Sequence, residues 1–168
     1  MTSKGKKVFL ILSVVVPFII YSAWYYAPMI RNAPFQEKYF VSLEYSWGMG
    51  NKLENAYNSA TGNYTYLNQK DSLVSFHIKL SQRDVKYLDS IADVQGFWNL
   101  PSVIANTKDD LQNPSLLRYI IKFNYQKKSK EVVYFPNYSG DVRMKGAFSK
   151  MQKEIELVLL DKEAALQR

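Results

Sequence analysis

The chain has 168 residues, 22 basic and 15 acidic side chains, a formal charge of +7 and no cysteine, which excludes a disulfide framework and a lipidated N-terminal cysteine. The charge is unevenly placed: residues 1–31 carry four basic groups and no acid, leaving 18 basic against 15 acidic groups, a net of +3, in the rest. So balanced a remainder gives no ground for expecting a nucleic-acid partner.

Residues 8–30 read VFLILSVVVPFIIYSAWYYAPMI, without a charge, behind Lys4, Lys6 and Lys7. As a helix at about 1.5 Å per residue this stretch reaches ~35 Å, enough to cross a hydrocarbon core of about 30 Å. Trp24, Tyr25 and Tyr26 form an aromatic belt of the kind found at a membrane interface, and Pro17 is expected to kink the helix. A cleavable signal needs small residues at its cutting site. Two residues before Ala23 and Ala27 stand Tyr21 and Tyr25, so an uncleaved anchor is expected. The basic flank places the N-terminus in the cytoplasm and the bulk of the chain in the periplasm or outside the cell. The expected organisation is a basic N-terminus (1–7), a transmembrane anchor (8–30), a linker (31–37) and one globular domain (38–165).

Within that domain period two comes first. Tyr39, Val41, Leu43, Tyr45 and Trp47 alternate with Ser42, Glu44 and Ser46, with Phe40 breaking the polar side. Gly48, Met49 and Gly50 interrupt the strand. A weaker second strand (53–60), a turn at Thr61, Gly62 and Asn63, a third strand (64–67) and a fourth (73–80) follow. Short connections imply an antiparallel meander. Ser81 and Asp84 then open a helix carrying Val85, Leu88, Ile91 and Ala92, and Gly96 ends it. Phe97, Trp98, Leu100 and Pro101 form an apolar knot, and 106–114 reads as a loop. Leu117, Tyr119, Ile121, Phe123 and Tyr125 mark a fifth strand with Arg118, Lys122 and Asn124 opposite. A hairpin leads to a sixth (130–135), and a helix (141–162) closes the chain. Lys122, Lys127, Lys128 and Lys130 read as a solvated hairpin tip. Four strands, a helix, two strands and a helix predict an α+β domain, an antiparallel sheet of about six strands packed on two helices.

The succession of Trp47, Gly48, Met49 and Gly50, then Gly62 to Tyr66, a helix from Ser81, the Phe97 to Pro101 knot and the paired acids Asp109 and Asp110 resembles a family of small, uncharacterised bacterial envelope domains. Its members often follow a signal peptide or lipid anchor, and the likeness spans roughly residues 38–160. The resemblance implies an extracytoplasmic α+β domain and no particular activity. Members often carry a cysteine in the glycine-rich segment; this chain has none, so chemistry that depends on it is not expected.

Motifs for chemistry are sparse. His77 is the only histidine, which excludes a histidine pair on a metal, and no G-x-S-x-G accompanies it; an exposed strand histidine is the plainer reading. Asp109 and Asp110, with Asn106 and Asn113 nearby, lack the D-x-D-x-D-G spacing of a calcium loop and read as a solvated loop. Gly48 to Gly50 is too short to cradle phosphate. Asn63-Tyr64-Thr65 and Asn137-Tyr138-Ser139 match glycosylation acceptors. No catalytic, metal or cofactor residue is assigned. The candidate binding surface comprises Trp47, Met49, Tyr57, Tyr64, Tyr66, Asp109, Asp110 and Tyr138, against the plainer reading that tyrosines cover half-buried strands. The expected function is a membrane-anchored, non-enzymatic module taking a protein, peptide or cell-wall partner through a sheet edge or aromatic loop face. The alternatives are a small hydrolase using Asp109, Asp110 or Asp141, and an immunity-like protein that neutralises a toxin.

Overall fold

The computed structural model describes residues 3–167; residues 1 and 2 of the basic 1–7 segment lie outside the described residues. The chain divides into two compact units, 1–34 and 35–168. The first is one helix, α1 (Ser3–Asn32), in which Phe9–Asn32 is long and apolar enough to cross a membrane. Nothing in its apolar window is buried. The helix is continuous through Pro17 and Pro28.

The second unit is α+β, as expected, with a sheet of seven strands rather than six. β1 (Phe40–Met49), β2 (Lys52–Asn58), β3 (Asn63–Leu67) and β4 (Leu73–His77) form the meander. After α2 (Gln82–Val94) come β5 (Val103–Ile104), β6 (Leu117–Tyr125), β7 (Ser129–Tyr134) and α3 (Val142–Leu166). The order across the sheet is β4-β3-β2-β1-β6-β7-β5. The extra strand, β5, runs parallel to β7, so the sheet is mixed and not wholly antiparallel. Two residues cannot display an alternation, which is why the pattern of side chains did not reveal it.

The meander's long strand departs from its expected phase at its start. The register against β6 shifts between Phe40 and Ser42. Beyond the shift Leu43 and Tyr45 are fully buried; before it Val41 is exposed and Phe40 packs edge-on against Tyr125, 5.9 Å between centroids. A bulge places two residues opposite one and so reverses which side chains face inward. Val41 therefore does not continue the inward row, whereas Tyr39 still packs against the core.

The core lies between the sheet and the two long helices. Ile121 and Phe123 of β6, Leu88 and Ala92 of α2, and Phe148, Met151 and Ile155 of α3 are all buried within it. Helix α2 starts as expected: the Ser81 hydroxyl accepts from the Asp84 amide while the Asp84 carboxylate accepts from Ser81, a reciprocal cap. Gly96 takes the left-handed conformation that ends it. Asp141 caps α3, its carboxylate accepting from the Arg143 amide at 2.7 Å.

The domain begins earlier than residue 38. Phe35 is buried, stacked 4.6 Å from Trp98 and edge-on to Tyr125. Residue 35, expected in the linker, is thus part of the core.

Candidate interaction surface

The tyrosines of this domain have a structural use that composition alone does not show. Tyr45, rising from β1 through the core, donates its hydroxyl to Glu156 of α3 at 2.5 Å. Tyr66 of β3 reaches Glu163 of the same helix at 2.8 Å, and Tyr125 of β6 reaches Asp89 of α2 at 2.5 Å. Tyr87 joins the helices to each other through Glu154, which also takes the Lys150 ammonium at 2.6 Å. A phenol carries a large apolar body and one polar tip, so it can fill a core and still satisfy an acid on the far layer. This explains how Asp89, Glu154 and Glu163 come to be buried.

The electrostatics follow. Burial, then the hydrogen bond to Glu156, push the Tyr45 phenol far above its ordinary value, and burial does the same for Tyr57. Tyr64 rises to about 12, chiefly through burial. Burial also raises the Asp89 carboxyl, against the bonds it accepts from Tyr125 and the Glu37 backbone. Glu154 is held low by Lys150 and Tyr87.

Among the eight surface candidates, Tyr57 and Tyr64 are core residues, 1% and 7% exposed, and do not line a surface. Tyr57 donates to the Ile78 carbonyl at 3.2 Å. Trp47 is half-buried and stacked on Tyr45, 4.8 Å between centroids. Tyr66 is half-buried and committed to Glu163. Met49 is exposed, in a shallow depression with Asn51, Lys52, Gln112 and Pro114. Asp109 is exposed on a short 3-10 turn (Asp109–Gln112). Asp110 accepts from Thr107 and from the Asn106 amide, bonds that hold its carboxyl below the ordinary range, Thr107 foremost. Tyr138 accepts from the Asp141 amide at 3.0 Å. Asn106 ties this loop to the approach of α3, donating to the Asn137 carbonyl and accepting from Ser139. The candidates therefore do not converge on one site. No group of three or more histidine, cysteine, aspartate or glutamate residues suited to a metal ion occurs among the described residues.

Four other side chains depart from their expected setting. Arg118, expected on the solvated face, is 8% exposed; its guanidinium lies 5.2 Å over the Phe135 ring and donates to the Leu111 carbonyl at 2.9 Å. The segment around Leu111 folds over that end of the sheet, and the apolar Leu111 and Phe135 were its only signal. Of the four lysines expected at a free hairpin tip, Lys122 sits between Glu44 and Glu131, 3.9 Å from each. Lys130 donates to the Leu100 carbonyl, and Lys128 lies 4.9 Å over the Phe35 ring.

What remains open is the edge of the sheet at β4. His77 is exposed there, as expected, lying across Gly62. Leu73 and Ser75 are exposed beside it, and β4 is the last strand on its side. The opposite edge, β5, is only two residues long. A hollow of about 580 Å³ lies near the base of the meander, lined by Lys38, Phe40, Val41, Leu80 and Val85 among others.

Comparison of this chain with protein families, with curated proteins and with solved structures finds no match in any of the three.

Proposed function

We propose that this chain is a single-pass envelope protein that displays a non-enzymatic interaction module outside the membrane. The observation that carries the reading is an apolar helix of which nothing is buried, joined to a separately folded domain. Exposed apolar surface of that length finds its match in lipid. The basic flank at Lys4, Lys6 and Lys7 supports an N-terminus in the cytoplasm and residues 35–168 on the far side, the periplasm or cell exterior. An interaction role is supported by the domain's polar groups. Its tyrosines and buried acids are engaged in joining layers, which leaves the β4 edge as its principal unfilled backbone surface.

The test is membrane fractionation followed by proteolysis of intact spheroplasts. The full-length chain should pellet with membranes through an alkaline wash, and external protease should digest residues beyond 34. Recovery of a soluble product trimmed near Ala23 or Ala27, or a domain shielded from added protease, would refute the reading.

A further inference from the structure

We infer that β4 pairs edge to edge with β4 of a second copy of this chain, antiparallel and centred on Ser75; the inference rests on the interaction-module reading and names its partner. The direction of the backbone groups comes first. The Ile78 amide donates to the Gly62 carbonyl at 2.7 Å, and the Asn68 amide donates to the Ser72 carbonyl at 3.0 Å. Between these rungs β3 and β4 pair from Asn63 with His77 to Leu67 with Leu73. Bonded and non-bonded pairs alternate in an antiparallel ladder. Residues 74, 76 and 78 therefore spend their backbone groups on β3, while those of Leu73, Ser75 and His77 point outward.

That edge is undefended. Proteins blunt free strands with proline, charge or a covering segment. The sequence Leu73 to His77 has no proline and no lysine, arginine, aspartate or glutamate, and all three outward residues are exposed. A two-fold axis at Ser75 sets Ser75 against its counterpart and Leu73 against His77 of the second copy. On the helix side, half-buried Val74 meets half-buried Phe76. Charge favours the same register. Asp71, in the turn before the strand, and Lys79, just beyond its end, lie equally far from Ser75, so this register brings each copy's aspartate toward the other copy's lysine, twice per dimer. Shifting the register by two residues would place Asp71 opposite His77 or Ser81 and so lose both pairings with Lys79. Confinement of both copies to one bilayer raises their effective concentration, which suits a contact built from a single strand pair.

The absence of cysteine allows a direct test in the full-length chain reconstituted in lipid vesicles. Under mild oxidation Ser75→Cys should cross-link to itself. Leu73→Cys and His77→Cys should each fail alone and cross-link when mixed. Lys79→Glu should lower the Ser75→Cys cross-linked fraction roughly tenfold at low protein density, since two opposite-charge pairs become repulsive, and adding Asp71→Lys should restore it. Ser75→Pro removes an outward donor only, so it should leave the circular dichroism of the fold unchanged and yield monomers by sedimentation in detergent. Absence of a Ser75→Cys cross-link in a folded, monomeric chain overturns self-pairing, as does equal cross-linking of Leu73→Cys alone. If that monomer instead holds another protein that Ser75→Pro releases, self-pairing falls while the module reading survives. If no contact depends on the edge, both fall.

Discussion

Asp84 and Asp89 stand on the same helix and answer to pH in opposite directions. Burial works to raise Asp84, but the Lys162 ammonium at 2.8 Å and the Ser81 hydroxyl and amide outweigh it and hold the carboxyl low. A lowered folded-state value means that the stabilisation is present at neutrality and is lost as pH falls from the unfolded value through the folded one. Asp89 is raised, first by burial. Its contribution is complete below the unfolded value and disappears as pH climbs through the raised one. Melting curves at pH 7 and pH 3.5 separate the two. Asp84→Asn should lower the midpoint at pH 7 by an amount equivalent to about 1 kcal/mol, as expected for a lost capping partner, and should lose less than the parent on acidification. Asp89→Asn should lose more. An identical pH response in all three chains would contradict this account.

Among the elements, the β1–β2 turn is held from outside. Gly50 has φ of +56°, its amide donates to the Leu116 carbonyl at 2.9 Å, and a Cβ there would fall 2.6 Å from the Pro114 Cα. Gly50→Ala combines a left-handed backbone with a backbone clash and should cost about 2 kcal/mol or more by urea titration; an unchanged midpoint would show that the turn yields freely. Element by element, what could be read from the sequence was whatever declares itself locally. The Ser81 and Asp84 cap, the Gly96 stop, the meander and the final hairpin each carry a period or a punctuating residue within a few positions. The Phe40 bulge, the parallel β5 and the burial of Phe35, Arg118 and Tyr57 depend on segments far away in the chain. Of the candidate surface, Met49 and Asp109 were placed outside as expected. Tyr57 and Tyr64 follow the plainer reading, tyrosines that cover the sheet, and the partner of Tyr66, Glu163 on a helix 97 residues further on, leaves no trace beside it in sequence.

For the molecule as a whole, the division at residue 34 has a measurable corollary. The piece 35–168, freed of its apolar helix, should be soluble and unfold in urea as one transition, with a midpoint matching that of the full-length chain in detergent. A collapsed or aggregating piece would mean that the helix supports the fold. The position of β1 carries one more consequence. It lies inside the sheet, flanked by β2 and by β6, and its partnership with β6 runs from Met49 with Leu117 to Phe40 with Tyr125. A nascent polypeptide halted before residue 117 can assemble the first four strands but has nothing to seal the bare seam along β1. Closing so distant a ladder is slow, and until the ribosome has delivered β6 that seam is a natural target for chaperones and for misassembly between neighbouring chains.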